Sequence, residues 1–197
     1  MRKIITTTFV TLDGVMQGPG GPEEDTSDGF TQGGWPANYD DEMTGQVIDG
    51  FMKIPFELLL GRKTYDIWEA FWPHTDEAPN IAKPFNATKK YVVSHASREL
   101  SWPNSVLVTG EVVAEIKKLK GMAAPDLWVW GSGNLIQTLL KADLVDQMYI
   151  WTYPVTLGGG KRLFSEGILP AAFQLASSQV SSSGVIIANY ERSVAPN

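Results

Sequence analysis

The sequence predicts an α/β protein built on a mixed β-sheet covered by helices, and three observations predict it. Short apolar, β-branched runs alternate with amphipathic stretches of helical period. A strand–turn–helix pattern occurs twice at glycine corners, at Gly61 and at Gly131-Ser132-Gly133. Residues 145–192, finally, hold strands with no helix between them. Alternating β and α segments give parallel strands joined by crossovers, and a helix-free tail gives antiparallel ones.

Each element follows from its own pattern. Residues 2–12 are apolar and rich in β-branched side chains and stop at the turn signal Asp13-Gly14, as a buried opening strand does. Residues 17–38 carry Gly18, Pro19, Gly20, Gly21, Pro22, Gly29, Gly33, Gly34 and Pro36 among acids, which predicts a long loop with no core of its own. Such loops are either substrate lids or surface insertions. From Asp40 the pattern turns helical, with Met43, Val47, Ile48, Phe51 and Met52 on one face and Asp40 or Asp41 as the N-cap. Residues 56–60 form a strand that ends at Gly61, and Thr64, Tyr65, Ile67 and Trp68 continue as a helix. Trp72-Pro73 and Pro79 mark a loop. Strands follow at 90–94 and 106–108, then a helix at 111–120 that turns Val112, Val113, Ile116 and Leu119 inward. The strand 127–130 runs into Gly131-Ser132-Gly133-Asn134 and a helix at 135–141. A strand at 145–155, a glycine loop at 158–160 and a hairpin of 173–180 with 185–192 complete the chain.

A chain of 197 residues is long enough for one well-filled core, so a single domain over 1–197 is expected. The formal charge of −6 argues against a general nucleic-acid binder, which needs clustered Lys and Arg. Any anionic ligand must meet local positive groups, and the close basic pairs are Arg62-Lys63, Lys89-Lys90, Lys117-Lys118 with Lys120, and Lys161-Arg162. The third reads as solvated surface, and the fourth as structural. The absence of cysteine removes disulfides, thiolate catalysis and Cys-ligated zinc. His74 and His95 lack a second ligand at helical spacing, so no metal site is expected. The first fourteen residues have no signal-peptide pattern and no apolar run approaches a membrane span, which makes the cytoplasm the expected compartment.

In an open α/β sheet, ligands bind beyond the carboxyl ends of the strands, where helix N-termini point N–H groups outward. The two glycine corners should therefore lie on one rim. Gly61 permits a sharp turn, Arg62 offers a planar fork for a phosphate, and Thr64 adds a hydroxyl. Gly131-Ser132-Gly133 permits close backbone approach, and the Ser132 and Asn134 side chains can donate. Taken alone, either corner also reads as a mere turn, and neither is a Rossmann fingerprint, because Ile136 stands where the third glycine would be. Two corners facing each other would hold a pyrophosphate.

The ordered runs Leu58-Leu59-Leu60-Gly61-Arg62-Lys63-Thr64-Tyr65, Lys90-Tyr91-Val92-Val93-Ser94, Val129-Trp130-Gly131-Ser132-Gly133, Asp143-Leu144-Val145-Asp146 and Pro154-Val155-Thr156-Leu157-Gly158-Gly159-Gly160-Lys161-Arg162-Leu163-Phe164 resemble the dihydrofolate reductase-like proteins related to the reductase domain of riboflavin biosynthesis. Order and spacing match from Thr8 to Tyr190. The resemblance implies a three-layer αβα fold, a mostly parallel mixed sheet with antiparallel C-terminal strands, and usually a homodimer. It also implies NADPH as cofactor, with hydride passing to a C=N or C=C bond of a small pterin-like or pyrimidine-like heterocycle. The alternative is an NADP(H)-binding sensor or interaction module without turnover. In this reading Arg62 with Ser94 or His95 grips the 2′-phosphate, Lys63 and Thr64 with Gly61 hold the pyrophosphate, and Gly131, Ser132, Gly133, Asn134 and Leu135 hold its other side. Thr11 and the Asp13-Gly14 turn would lie near the nicotinamide. Asp13, Trp35 and Tyr153 are placed on the substrate side. Dihydrofolate reductases carry a buried acid on the first helix after a Trp; here Trp35 is followed by Pro36-Ala37-Asn38-Tyr39-Asp40-Asp41-Glu42, so Asp40 is the candidate catalytic acid and competes with its own reading as a helix cap.

Overall fold

A computed structural model describes residues 1–164 and 170–193. Its strands are β1 (Ile4–Thr11), β2 (Phe56–Gly61), β3 (Lys90–Val93), β4 (Ser105–Val108), β5 (Asp126–Trp130), β6 (Gln147–Tyr153), β7 (Phe173–Val180) and β8 (Ile186–Arg192). Its helices are α1 (Glu42–Met52), α2 (Arg62–Phe71), α3 (Pro79–Ala87), α4 (Val112–Lys120) and α5 (Gly133–Lys141). The strands form one sheet in the order β4-β3-β2-β5-β1-β6-β8-β7. From β4 to β6 every pairing is parallel, and β8 and β7 extend the sheet antiparallel. No helix among the described residues is long and apolar enough to cross a membrane.

Side chains alternate across a strand, so each β-segment feeds two cores. Ile4 and Val10 of β1 and Leu127 and Val129 of β5 pack with Ile116 and Leu119 of α4 and Leu135, Ile136 and Leu139 of α5. Ile5 of β1 and Trp128 of β5 face the other way, where they join Leu58, Leu60 and Trp151, Phe51 of α1, Tyr65 of α2 and Phe85 of α3. Each fully buried Leu or Ile contributes on the order of 1.5–3 kcal/mol, which fixes the register because a one-residue slip would exchange the two faces. The second face is dominated by aromatic rings.

Four sequence expectations are corrected. The segment after Trp72-Pro73 holds a helix, α3, despite Pro79 and Pro84. Pro79 stands at the first helical position, where its missing N–H costs nothing. Pro84 lies inside the helix, and the burial of Ala82 and Phe85, the latter stacked on Trp68 with ring centroids 4.9 Å apart, outweighs the lost hydrogen bond. The loop 17–38 does reach the core: Phe30 and Trp35 are buried, and the Trp35 indole donates to the Gln17 carbonyl at 2.9 Å. Asp41 alone caps α1, accepting from the Thr44 N–H while the Thr44 hydroxyl accepts from the Asp41 N–H, so Asp40 is released from that role. Lys90, read as half of a basic pair that could meet an anion, is fully buried, with its ammonium donating to the carbonyls of Asn86, Thr88 and Pro103.

Candidate functional site

Because β5 lies beside β2, the corners that end these two strands are neighbours, and they are bonded to each other. The Gly61 N–H donates to the Ser132 hydroxyl at 3.0 Å, and the Ser132 N–H donates to the Thr64 hydroxyl at 3.0 Å. Thr64 thereby keeps its own hydroxyl hydrogen for another acceptor. Gly131 and Ser132 are consecutive left-handed residues, with φ of 55° and 52°, and a Cβ on Gly131 would meet the Thr64 hydroxyl at 3.4 Å. Glycine is thus favoured at 131, although Ser132 adopts the same conformation with a side chain. Gly61 differs from expectation, since its φ of −72° and ψ of 152° suit any residue.

The joined corners form one wall of a cleft of about 800 Å³. The turn after β3, with Ser94 and His95, and the start of α4 at Gly110 and Glu111 continue that wall, and Gln17, Gly18 and Glu24 of the long loop face it. The helices α2, α4 and α5 all begin at this cleft, and none of them has a side-chain N-cap. The first-turn N–H groups of a helix need acceptors. Helix α1, which begins elsewhere, has a full capping box, and α3 starts on a proline. Three helix ends are therefore left to meet an anion in one place, with the partial positive charge of each macrodipole behind them.

Side-chain charge at the rim comes from Arg62 and the exposed Lys63. Arg62 is about half exposed and rests on Asp66 at 2.9 Å, and Asp66 also accepts from Arg98, a residue the sequence reading missed. Among the other basic residues, Lys161 binds Asp25 at 2.6 Å, Arg162 binds Asp13, and Lys120 binds Asp146. The Ser94 hydroxyl turns inward, donating to the Ala96 carbonyl at 2.9 Å, whereas His95 is exposed. Glu24 was also missed; burial pushes its carboxyl above the ordinary range although it accepts from the Gly20 N–H at 2.5 Å. No local pattern marks one acid of a Gly/Pro-rich loop from the next.

The residues expected at the substrate end gather on the other side of β1 and do not border this cleft. Thr11 is buried; its hydroxyl donates to Asp13 at 2.5 Å and accepts from the Val15 N–H at 2.9 Å. The Asp13 carboxylate also accepts from the Leu157 and Gly158 N–H groups, and the Thr11 hydroxyl foremost, with these amides, holds it below the usual carboxylate range. Asp13 thus ties the end of β1 to the glycine loop. Trp35 and Tyr153 are buried edge to face, with centroids 5.2 Å apart, and Tyr39 and Phe9 flank Tyr153. Burial and then the nearby Asp40 push the Tyr153 phenol up, and partial burial and then the Asp41 charge push the Asp40 carboxyl up. Among the described residues no group of three or more His, Asp or Glu side chains could hold a metal ion.

A family model, the RibD C-terminal domain, matches residues 2–187. The chain belongs to this family. Its curated relatives include YyaP of Bacillus subtilis strain 168, 29% identical over 192 residues that cover 94% of this chain and 92% of YyaP. YwjB of the same strain is 24% identical over 168 residues, 84% of each chain. Among solved structures, a putative riboflavin biosynthesis protein from Shewanella sp. PV-4 matches with a TM-score of 0.73 and 25% identity, covering 98% of this chain and 99% of that one. Enterococcus faecalis dihydrofolate reductase, complexed with NADP(H) and RAB-propyl, shares the fold with a TM-score of 0.61 and 14% identity, covering 96% of each chain. The RibD C-terminal domain of this chain therefore has the dihydrofolate reductase-like architecture, three layers around a mostly parallel sheet whose C-terminal strands are antiparallel.

Proposed function

We propose that this RibD C-terminal domain is an NADPH-dependent reductase acting on a small heterocycle. The observation that carries the reading is the convergence of three uncapped helix N-termini on one cleft, because that arrangement suits the several negative charges of a phosphorylated dinucleotide. The bonded corners fit a pyrophosphate, which the N–H groups of α2 and α5 would hold from two sides, with the Thr64 hydroxyl as a further donor. Arg62 and His95, at the ends of β2 and β3, are the residues for the 2′-phosphate, and the NADP(H) of the Enterococcus enzyme supports that assignment by analogy of fold. Arg62 would exchange its Asp66 partner for the phosphate.

When bound, the nicotinamide supplies a hydride, and the chain's part is to position the acceptor, exclude water and hold a proton. Asp40 is the proton carrier in this reading: it is not used as a cap, and its raised carboxyl stays protonated to a higher pH than an ordinary Asp. Trp35 and Tyr153, packed edge to face, form the wall against which a flat ring would be set.

The test is a titration of the purified protein with NADPH and with NADH, followed by tryptophan fluorescence, beside Arg62→Ala. NADPH is expected to bind more tightly than NADH, and the variant to lose that preference while still binding both. Binding of neither dinucleotide would overturn the reductase reading. Tight binding with no oxidation of NADPH against any heterocycle would instead favour a sensor.

A further inference from the structure

The aromatic core face beneath α1 contains buried hydrogen-bond donors with no acceptor. The indole N–H groups of Trp128, Trp130 and Trp151 and the hydroxyl of Thr7 are all closed to solvent and have no hydrogen-bond partner among the described residues. Register places them together: Thr7 lies between Trp130 of β5 and Tyr149 of β6, and Trp151 follows two residues along β6. Trp128, Trp151 and Thr7 are each at least 98% buried. Buried polar groups in folded proteins nearly always have partners, and an N–H set against a ring face recovers only part of what is lost. Three indoles are donors only, so what they lack is an acceptor.

The centre of this face is held by a side chain. The Phe51 ring sits 4.9 Å from Trp128, 4.7 Å from Tyr149 and 6.3 Å from both Trp130 and Trp151, centroid to centroid. Phe51 lies in the last turn of α1 and directly follows Gly50, and Gly45 stands five residues before Gly50. A Cβ on either glycine would meet nothing within 4 Å, so packing does not demand glycine there. Their effect is to weaken the helix that carries Phe51.

We propose that this face is the binding site of a planar ring whose edge carries hydrogen-bond acceptors and no donors, and that Phe51 fills it until the ligand displaces the ring. The inference deepens the reductase reading, on which it rests for the chemistry: it makes the hydride acceptor a carbonyl-edged conjugated ring whose edge Trp128, Trp130, Trp151 and Thr7 would hold, beside the Trp35–Tyr153 wall that Phe9 joins to Trp151. Trp130 immediately precedes Gly131 of the cleft wall, so the two sites adjoin.

The probes are coumarin, which is flat and carries two acceptor oxygens, and naphthalene, which has its shape and no acceptor, each titrated calorimetrically into the full chain. Coumarin is expected to bind at least tenfold more tightly than naphthalene. Trp151→Phe should reduce coumarin affinity about tenfold and leave naphthalene unchanged, and Phe51→Leu should raise coumarin affinity, with circular dichroism confirming that each variant is folded. Equal binding of the two probes, or no coumarin binding by wild type and Phe51→Leu alike, would overturn the proposal, and so would indifference of coumarin to both Trp151→Phe and Trp128→Phe. A parallel NADPH titration separates the two readings. Coumarin binding without NADPH binding sinks the reductase assignment alone, and the reverse result sinks this proposal alone.

Discussion

Lys90 offers the sharpest quantitative test of the structure. Its side chain is fully buried, its ammonium faces three backbone carbonyls, and it lies 4.4 Å from the centre of the Trp102 ring, with no carboxylate paired to it among the described residues. Burial pulls its pKa from 10.5 down to about 8. Between these two values the unfolded chain holds a proton that the folded chain has released, so stability must rise as pH increases from about 8 to 10.5. At about 1.4 kcal/mol per pH unit the gain reaches on the order of 3 kcal/mol. That figure is a ceiling, because the carbonyls and the indole favour the charged form. The assay is urea unfolding of wild type and Lys90→Met at pH 7, 8, 9 and 10, taking the difference between the two proteins so that other titrating groups cancel. Wild type should gain on the variant steadily above pH 8. A difference that stays flat from pH 7 to 10 would refute the argument that burial governs this lysine.

Ser132→Ala removes the acceptor of the Gly61 N–H and should cost on the order of 1–2 kcal/mol in thermal melts while weakening NADPH binding, since the two corners are no longer tied. An unchanged affinity would show that the corners keep their spacing without the bond. Asp41→Ala should lower the melting temperature, by loss of the α1 cap. The Asp41 carboxyl is held low by the Thr44 N–H first and Ser182 next, so its contribution is present above the ordinary Asp range and fades as the pH falls below it. Asp40→Asn should leave the melting temperature nearly unchanged and slow turnover with the group's titration lost from the pH–rate profile; full activity with an unchanged profile would remove Asp40 from the mechanism.

What could be read from the sequence was what local chemistry decides. The corners at Gly61 and Gly131 announced themselves because a strand, a glycine and a helix start stand side by side in the chain, and the ordered runs around them carried the family resemblance. That the corners share one rim needed only the rule that parallel strands point the same way; that they are neighbours is set by the pairing of β2 with β5. The failures came where distant partners set the outcome. Two prolines outweighed Phe85 in the reading of residues 79–87, because the Trp68 ring that stacks on it lies seventeen residues earlier. Lys90 looked like half of a basic pair open to an anion, since nothing nearby in the chain shows three carbonyls closing over it. The choice between Asp40 and Asp41 turned on one residue of register, which fixes which carboxylate meets the Thr44 N–H and which is left over. Arg98 and Glu24 carried no pattern of their own.

The strand order has a consequence for how the molecule comes apart. β1 and β2 are not paired: β2, β3 and β4 form one half of the sheet, β1, β6, β8 and β7 form the other, and β5 is the seam that joins them. β5 also runs directly into Gly131 and Ser132, so the same short segment zips the halves together and completes the cleft. A ligand lodged between the N-termini of α2 and α5 would bridge that seam. Its binding free energy would then be added to the work of parting the two halves, leaving fluctuations within each half untouched.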